Sequence, residues 1–399
     1  ASGVIEACRD YKDKIGALYA AKNGIIGALQ ENLIDTSLES DQSIATLRHI
    51  PGGAFGSCRY KMRDMADDDS EYQRLIQVFK AHNIGYFFYN GGGDSADTCL
   101  KVSQISQSMG YPIQAIHIPK TIDNDLPSTD CSPGFGSVAK YVAVSTKEAG
   151  LDIASMSASS TKVFILEVMG RHAGWIAAAA GLASQRKNEP PHIILFPEVA
   201  FDRQEFIAKV KQAVQDFGYC VVVASEGVTY ADGGLLSGSL SEDAFGHRQL
   251  GGVAPALCSM IKHSLGYKYH YAIADYLQRS ARHLASKTDI EQAYAVGRSA
   301  VEKALEGKNA IMVSIQRDDA ETYGWSLGEV PLTKVANGEK KMPMTFICQD
   351  GFGITQQARD YLLPLIAGED YPPFKNGLPY YPQLKNTLIT RRCQQWTLS

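Results

Sequence analysis

The stretch Pro119-Lys120-Thr121-Ile122-Asp123-Asn124-Asp125 follows the apolar run Ile113–Ile118, and Gly91-Gly92-Gly93-Asp94-Ser95 follows the run Ile84–Tyr89. Short runs of this kind read as buried strands of a parallel sheet. In open α/β sheets, ligands bind just beyond the carboxyl ends of the strands. One loop offers glycines and a carboxylate; the other offers a lysine, a threonine and aspartates. Together they suit the movement of a phosphoryl group with help from a divalent metal.

Further along, Val163–Val168, His192–Phe196 and Tyr219–Ala224 continue the alternation of strand-like runs with helical stretches. The pattern predicts an α/β protein with mainly parallel sheets flanked by helices. Each run ends in chemically capable residues: Met169-Gly170-Arg171, Pro197-Glu198 and Ser225-Glu226-Gly227. Thr288 and Glu291 stand at capping-box spacing and predict a helix over Thr288–Glu306, stopped near Gly307. The segment Pro364–Pro382, rich in Pro, Gly and Tyr, is expected to form an ordered extended tail with buried aromatics. At 399 residues, two lobes with a cleft between them are expected.

Composition narrows the class. The formal charge of −4 gives no basic surface for nucleic acid or anionic membrane. The longest apolar run, around Trp175 to Ala183, is too short for a membrane span. The eight cysteines are scattered without a C-x-x-C pair, which predicts a reduced cytoplasmic enzyme rather than a zinc protein. The sequence begins at Ala1 inside a helical pattern (Val4, Ile5, Ala7, Cys8), so residues upstream are expected.

Each motif has a functional and a plainer reading. Glycines 91–93 let backbone N–H groups approach an anion at a helix start, or simply make a tight turn. Asp94 can touch a metal or cap that helix. Asp123 and Asp125, two apart, can divide the work of general base and magnesium ligand, or belong to an Asx turn. Lys120 meets phosphate or solvent. Arg171, placed near the N-terminus of a small-residue helix, can clamp a phosphoryl group or pair with a structural carboxylate. Glu226 can hold a sugar hydroxyl or serve as a cap. Gly56-Ser57-Cys58-Arg59 and Tyr276-Leu277-Gln278-Arg279-Ser280 say little alone.

In combination and in this order, GGGDS, PKTIDND, VFILEVMGRHAGW, ASEG, GSCR and YLQRS resemble the phosphofructokinase family, from the N-terminal helix to about Gly307. The resemblance implies two Rossmann-like lobes with the active site in the cleft. Residues 1–135 and 276–340 would form the larger, phosphoryl-donor lobe. Residues 136–275 and 341–399 would form the smaller, sugar-phosphate lobe. It implies that Asp123 is the base for the 1-hydroxyl of fructose 6-phosphate, with Thr121 and Arg171 on the transferring group and Asp125 aiding magnesium. Met169, Gly170, Glu226, Tyr276 and Arg279 would line the sugar-phosphate site, and Asp94, Gly93 and Arg59 would also bind substrate. Lys162 and His270 fall where relatives reach toward a neighbouring subunit, so a homodimer or homotetramer is expected.

ATP-using relatives carry glycines where this chain has Asp94 and Lys120; the diphosphate-using branch resembles this chain. An aspartate would repel a nucleotide α-phosphate, and a lysine would compensate free diphosphate. Inorganic diphosphate is therefore the expected donor, in a reversible reaction. Gly93 departs from the pattern, standing where most relatives have a metal-linked aspartate. The family's first strand and glycine-rich phosphate loop would precede Ala1. The alternatives are an ATP-dependent phosphofructokinase, a non-catalytic regulatory subunit, and a lipid or NAD kinase. Retention of Asp123, Asp125 and Arg171 argues against the regulatory subunit; YLQRS and MGRHAGW argue against the lipid or NAD kinase.

Overall fold

In this computed structural model, which describes residues 1–63, 65, 67–186, 188–236, 251–320 and 322–397, β-branched and aromatic runs make two four-stranded sheets. A short antiparallel pair, β1 (Tyr19–Ala21) and β2 (Leu33–Asp35), precedes them. The first sheet contains β3 (Tyr86–Gly91) and β4 (Gln114–Pro119), parallel, with Phe88 opposite Ile116. The second contains β5 (Val163–Val168), β6 (Ile193–Leu195), β7 (Cys220–Ser225) and β8 (Tyr269–Ile273), all parallel, in the order β6-β7-β5-β8. The chain then returns to the first sheet. There β9 (Ile311–Arg317) lies parallel to β4, and β10 (Trp325–Pro331) closes the edge antiparallel to β9.

The five expected strands are all present, displaced by at most two residues at either end. Val163, Ile165 and Val221–Val223 are fully buried, as central strands of a covered parallel sheet require. β8, β9 and β10 escape a search for continuous apolar runs. β8 is an edge strand whose His270, Tyr271 and Ile273 are exposed, and β9–β10 is an antiparallel ladder reading a different pattern.

One core joins the sheets. It takes Ile116 and Ile118 from β4, Leu166 and Val168 from β5, Val223 from β7 and Val313 and Ile315 from β9. Between them lie the helices Phe135–Met156, Trp175–Ala180 and Lys287–Leu305. Ala177–Ala180 are completely buried, so that helix is Ala-rich because neighbours approach it on every side.

Two expectations need correction. The helix at 287–305 is capped by Ser286, whose hydroxyl accepts from the N–H of Asp289; Thr288 and Glu291 do not form the cap. Ser286 wins because its hydroxyl also donates to the carbonyl of Leu365 at 2.7 Å, tying the helix start to the C-terminal segment. The aromatics of the tail are not uniformly buried. The small ribbon of β11 (Phe374–Lys375) and β12 (Leu378–Pro379) leaves Phe374, Leu378 and Tyr380 exposed. The last stretch lies on the β1–β2 side of the chain rather than with the second sheet. Asp35 N–H donates to Thr387, Ile389 N–H donates to Leu33, and the N–H of Cys393 donates to Glu31. Trp396 packs against the buried cluster that includes Tyr72, Phe79 and Ile105. Apolar residues on that surface capture the chain end.

Candidate active site

Where β4 ends, the chain turns sharply. Asn124 adopts φ 55° and is wholly buried. Asparagine tolerates this left-handed conformation because its short amide finds local partners. Its Nδ2 donates to Tyr361 Oη at 3.0 Å, and its Oδ1 accepts from Ser132 N–H at 3.0 Å and Lys340 Nζ at 3.2 Å. Thr121 Oγ1 donates to Asp123 Oδ2 at 3.2 Å and accepts from the Asp123 N–H at 3.1 Å. The aspartates on either side of Asn124 are thereby held in place.

Asp123 has a pKa raised by burial, opposed by the Thr121 hydrogen bond and by the positive charges of Lys120, Arg279 and Arg171. Lys120 is exposed at the end of β4, and burial of its surroundings lowers its pKa; Arg279 adds to the depression and Asp123 opposes it. Asp125 is pushed up to about 6 by burial, then by Asp123 and Glu339, while Lys340 acts in the other direction. The structure thus brings Lys120, Thr121, Asp123, Asp125, Arg171 and Arg279 into one electrostatic neighbourhood.

The glycine loop lies alongside. Lys120 N–H donates to the Gly91 carbonyl at 3.1 Å, joining the two loops. Gly91 is required by a close approach, since a Cβ there would meet Ser95 Oγ at 2.0 Å. Helix Gly93–Ser108 starts directly after it, with exposed Asp94 in its first turn. At Gly93 a Cβ would meet nothing within 4 Å. Arg59 is exposed on the segment whose Cys58 acts on the Tyr89 hydroxyl near the end of β3.

From the second sheet come Met169, Gly170 and Glu226. Gly170, at φ 141°, donates its N–H to Glu226 Oε1 at 3.4 Å and accepts from Ser225 Oγ at 2.5 Å. Met169 N–H donates to Gln278 Oε1 at 3.3 Å, tying this loop to the helix Asp275–Ser280. That helix presents Tyr276, 62 % exposed, with the Arg279 guanidinium 4.8 Å from its ring. Burial pushes Glu226 up to about 7, with Asp123 and Glu167 adding to the rise and Gly170 and Arg171 opposing it.

Arg171 does not sit at an open helix N-terminus. Helix Trp175–Ala180 begins later, and Glu198 accepts the N–H of Gly174 at 2.8 Å, so its amino end already faces a carboxylate. Lys162 and His270 stand apart from the site of their own chain. They lie at the amino-terminal ends of β5 and β8, roughly a strand length, about 20 Å, from Gly170. The Lys162 ammonium donates to the carbonyl of Ser157.

The phosphofructokinase family model matches residues 2–304. The chain belongs to the phosphofructokinase family. A pyrophosphate–fructose 6-phosphate 1-phosphotransferase of Halomonas elongata is 64 % identical over 398 residues, covering 100 % of this chain and 95 % of the relative. The enzyme of the same name from Methylococcus capsulatus is 60 % identical, with 98 % and 93 % covered. The crystal structure of a pyrophosphate-dependent phosphofructokinase from Marinobacter aquaeolei superimposes with a TM-score of 0.91 at 61 % identity, covering 100 % of this chain and 95 % of that one. The fold is that of the phosphofructokinases.

Magnesium is the cofactor the family implies, and the residues of this phosphofructokinase fit it. Asp125 Oδ1 is a buried hard oxygen without a hydrogen-bond partner, on a carboxyl whose ionisation is costly without a nearby cation. Among the described residues no group of three or more acidic, His or Cys side chains could hold a metal. Substrate phosphates would therefore have to complete the shell. Glu339, Lys340 and Tyr361 were missed by sequence reasoning. They lie over two hundred residues from Asp123, in a segment without a motif, and only folding brings them to the loop.

Proposed function

We propose that this phosphofructokinase is diphosphate-dependent: it transfers a phosphoryl group reversibly from inorganic diphosphate to the 1-hydroxyl of fructose 6-phosphate, giving fructose 1,6-bisphosphate and phosphate. The observation that carries the reading is Lys120 within the electrostatic reach of Asp123 at the mouth of the glycine loop. A lysine there supplies positive charge to a small, highly charged donor without an adenosine group, and Asp94 adds a charge that a nucleotide α-phosphate would oppose.

Asp123 accepts the proton of the 1-hydroxyl; its raised pKa makes it a better base than an ordinary carboxylate. The O1–P bond forms as the diphosphate bridging P–O bond breaks, and the bond's electrons leave with phosphate. Lys120 and Arg171 neutralise charge on the transferring and departing groups, and Thr121 orients the loop. When bound, magnesium would be held by Asp125 and Asp94 and would supply positive charge against the phosphate groups. Glu226, Met169, Gly170, Tyr276 and Arg279 receive the sugar phosphate.

The donor lobe comprises residues 1–135 with 276–340, and the sugar lobe 136–275 together with residues from 341 up to the tail's departure. Lys162 and His270 serve a neighbouring subunit in a homodimer or homotetramer, a reading supported by the exposed Tyr271 and Ile273 on β8, the second sheet's edge strand. The cytoplasm is the expected compartment; among the described residues no helix is long and apolar enough to cross a membrane. Fructose 6-phosphate turnover with magnesium and either diphosphate or ATP as sole donor tests the reading. Turnover with diphosphate alone supports it; turnover with ATP alone overturns the roles of Asp94 and Lys120.

A further inference from the structure

Lys340 touches the loop of Asp123 and the helix that follows Arg171 with different parts of one residue. Its backbone N–H donates to the Asp125 carbonyl at 2.6 Å. Its ammonium donates to Asn124 Oδ1 at 3.2 Å, to the Thr129 carbonyl at 3.2 Å and to the Asp130 carbonyl at 2.8 Å. On its other side, the Lys340 carbonyl accepts from Trp175 Nε1 at 3.3 Å, and the ammonium lies 5.2 Å from the Trp175 ring centroid. Trp175 opens the helix that follows Arg171. The preceding residue adds a second link: Glu339 Oε1 lies 3.1 Å from His172 Nδ1, next to Arg171 in sequence.

We propose that Glu339-Lys340 is a positioning tie that sets the separation between Asp123 and Arg171. The inference rests on the reading of those residues as base and phosphoryl clamp. One end holds Asn124, the left-handed pivot between Asp123 and Asp125; the other holds His172 and Trp175, which flank the turn carrying Arg171. Base and guanidinium come from different sheets, so neither sheet alone fixes their spacing. In-line transfer needs that spacing, and a displacement of about 1 Å can cost on the order of 100-fold in rate. The ammonium has acceptors for its hydrogens and does not need substrate to satisfy it, so it acts through the loops it holds. Tyr361 buttresses the same pivot, donating from Oη to the Asp130 carbonyl at 2.5 Å.

The test compares steady-state kinetics of the full-length enzyme and its variants. Wild-type turnover is first measured with diphosphate and with ATP. Lys340→Met should lower kcat about 30- to 100-fold while KM for fructose 6-phosphate and for the donor stays within about threefold. A folded Lys340→Met enzyme with wild-type kcat overturns the proposal, as does one whose KM rises while kcat is kept. Should that variant fail to fold, the exposed pair supplies the answer through a double-mutant cycle of His172→Ala and Glu339→Ala. Each single change should lower kcat about three- to tenfold, and the double no further than the larger single. Additive losses, or none, overturn the tie. Turnover with ATP alone refutes the donor reading and leaves these comparisons intact; turnover with neither donor overturns both.

Discussion

The Gly170 N–H donates to the Glu226 carboxylate at 3.4 Å, joining the ends of β5 and β7. That single donor does not offset burial, which pushes the Glu226 carboxyl up to about 7. Two measurable consequences come from its position.

On the proposed role of Glu226 as acceptor of sugar hydroxyls, KM for fructose 6-phosphate should fall as pH rises through about 7, and Glu226→Gln should flatten the transition. Stability moves the other way. The folded pKa exceeds the unfolded value of about 4.3, so the folded state holds this proton more tightly. Its contribution is complete below about 4.3 and lost as pH rises through about 7. Thermal melting of Glu226→Gln should therefore gain on wild type between pH 5 and pH 8. A melting difference independent of pH would refute the assignment.

Asp123→Ala should lower kcat by about 100- to 10,000-fold, as loss of a general base does. Burial makes the Asp123 charge costly, so the variant should melt no lower than wild type. Near-normal turnover in the folded variant would remove Asp123 as the base.

Changing Asp94 and Lys120 together to glycine should cut kcat/KM for diphosphate by roughly 100-fold or more, through loss of the Lys120 charge. ATP use should not fall. Unchanged diphosphate use in the double variant would show that donor choice lies elsewhere.

Gly93→Asp tests the departure from the family pattern. A Cβ at Gly93 meets nothing within 4 Å and no left-handed backbone demands glycine there, so the variant should fold. An aspartate in the first turn of the 93–108 helix favours both the dipole and a hard cation. The magnesium concentration for half-maximal rate should fall. A rise would mean that the added charge repels the donor instead.

Ser286→Ala probes the link between the 287–305 helix and the C-terminal segment. Losing the cap and the bond to Leu365 should cost about 1–2 kcal/mol of unfolding free energy, read by denaturant melts, while KM is unchanged.

The loops that carry the chemistry were legible because they are local. Apolar runs of strand length followed by Gly91–Ser95 and Lys120–Asp125 announce parallel strands and what stands at their carboxyl ends, and neither signal needs distant partners. Three features resisted a linear reading for a shared reason. The edge strand β8 exposes His270, Tyr271 and Ile273, because an edge strand pairs on one side only among the described residues. The cap at Ser286 depends on Leu365, and the tail at 384–396 depends on apolar clusters drawn from Ile5 to Ile113.

The amino-acid sequence alone determined the α/β class, the loops at the strand ends and the residue types available for phosphoryl transfer, because periodicity and turn chemistry act over a few neighbours. Only the tertiary structure decided that Lys340 and Tyr361 would grip Asn124, that Glu198 would close the helix end beside Arg171, and that Lys162 would lie a strand's length from Gly170. Those outcomes depend on close packing between segments far apart in the chain, where burial raises the energetic weight of each hydrogen bond and charge.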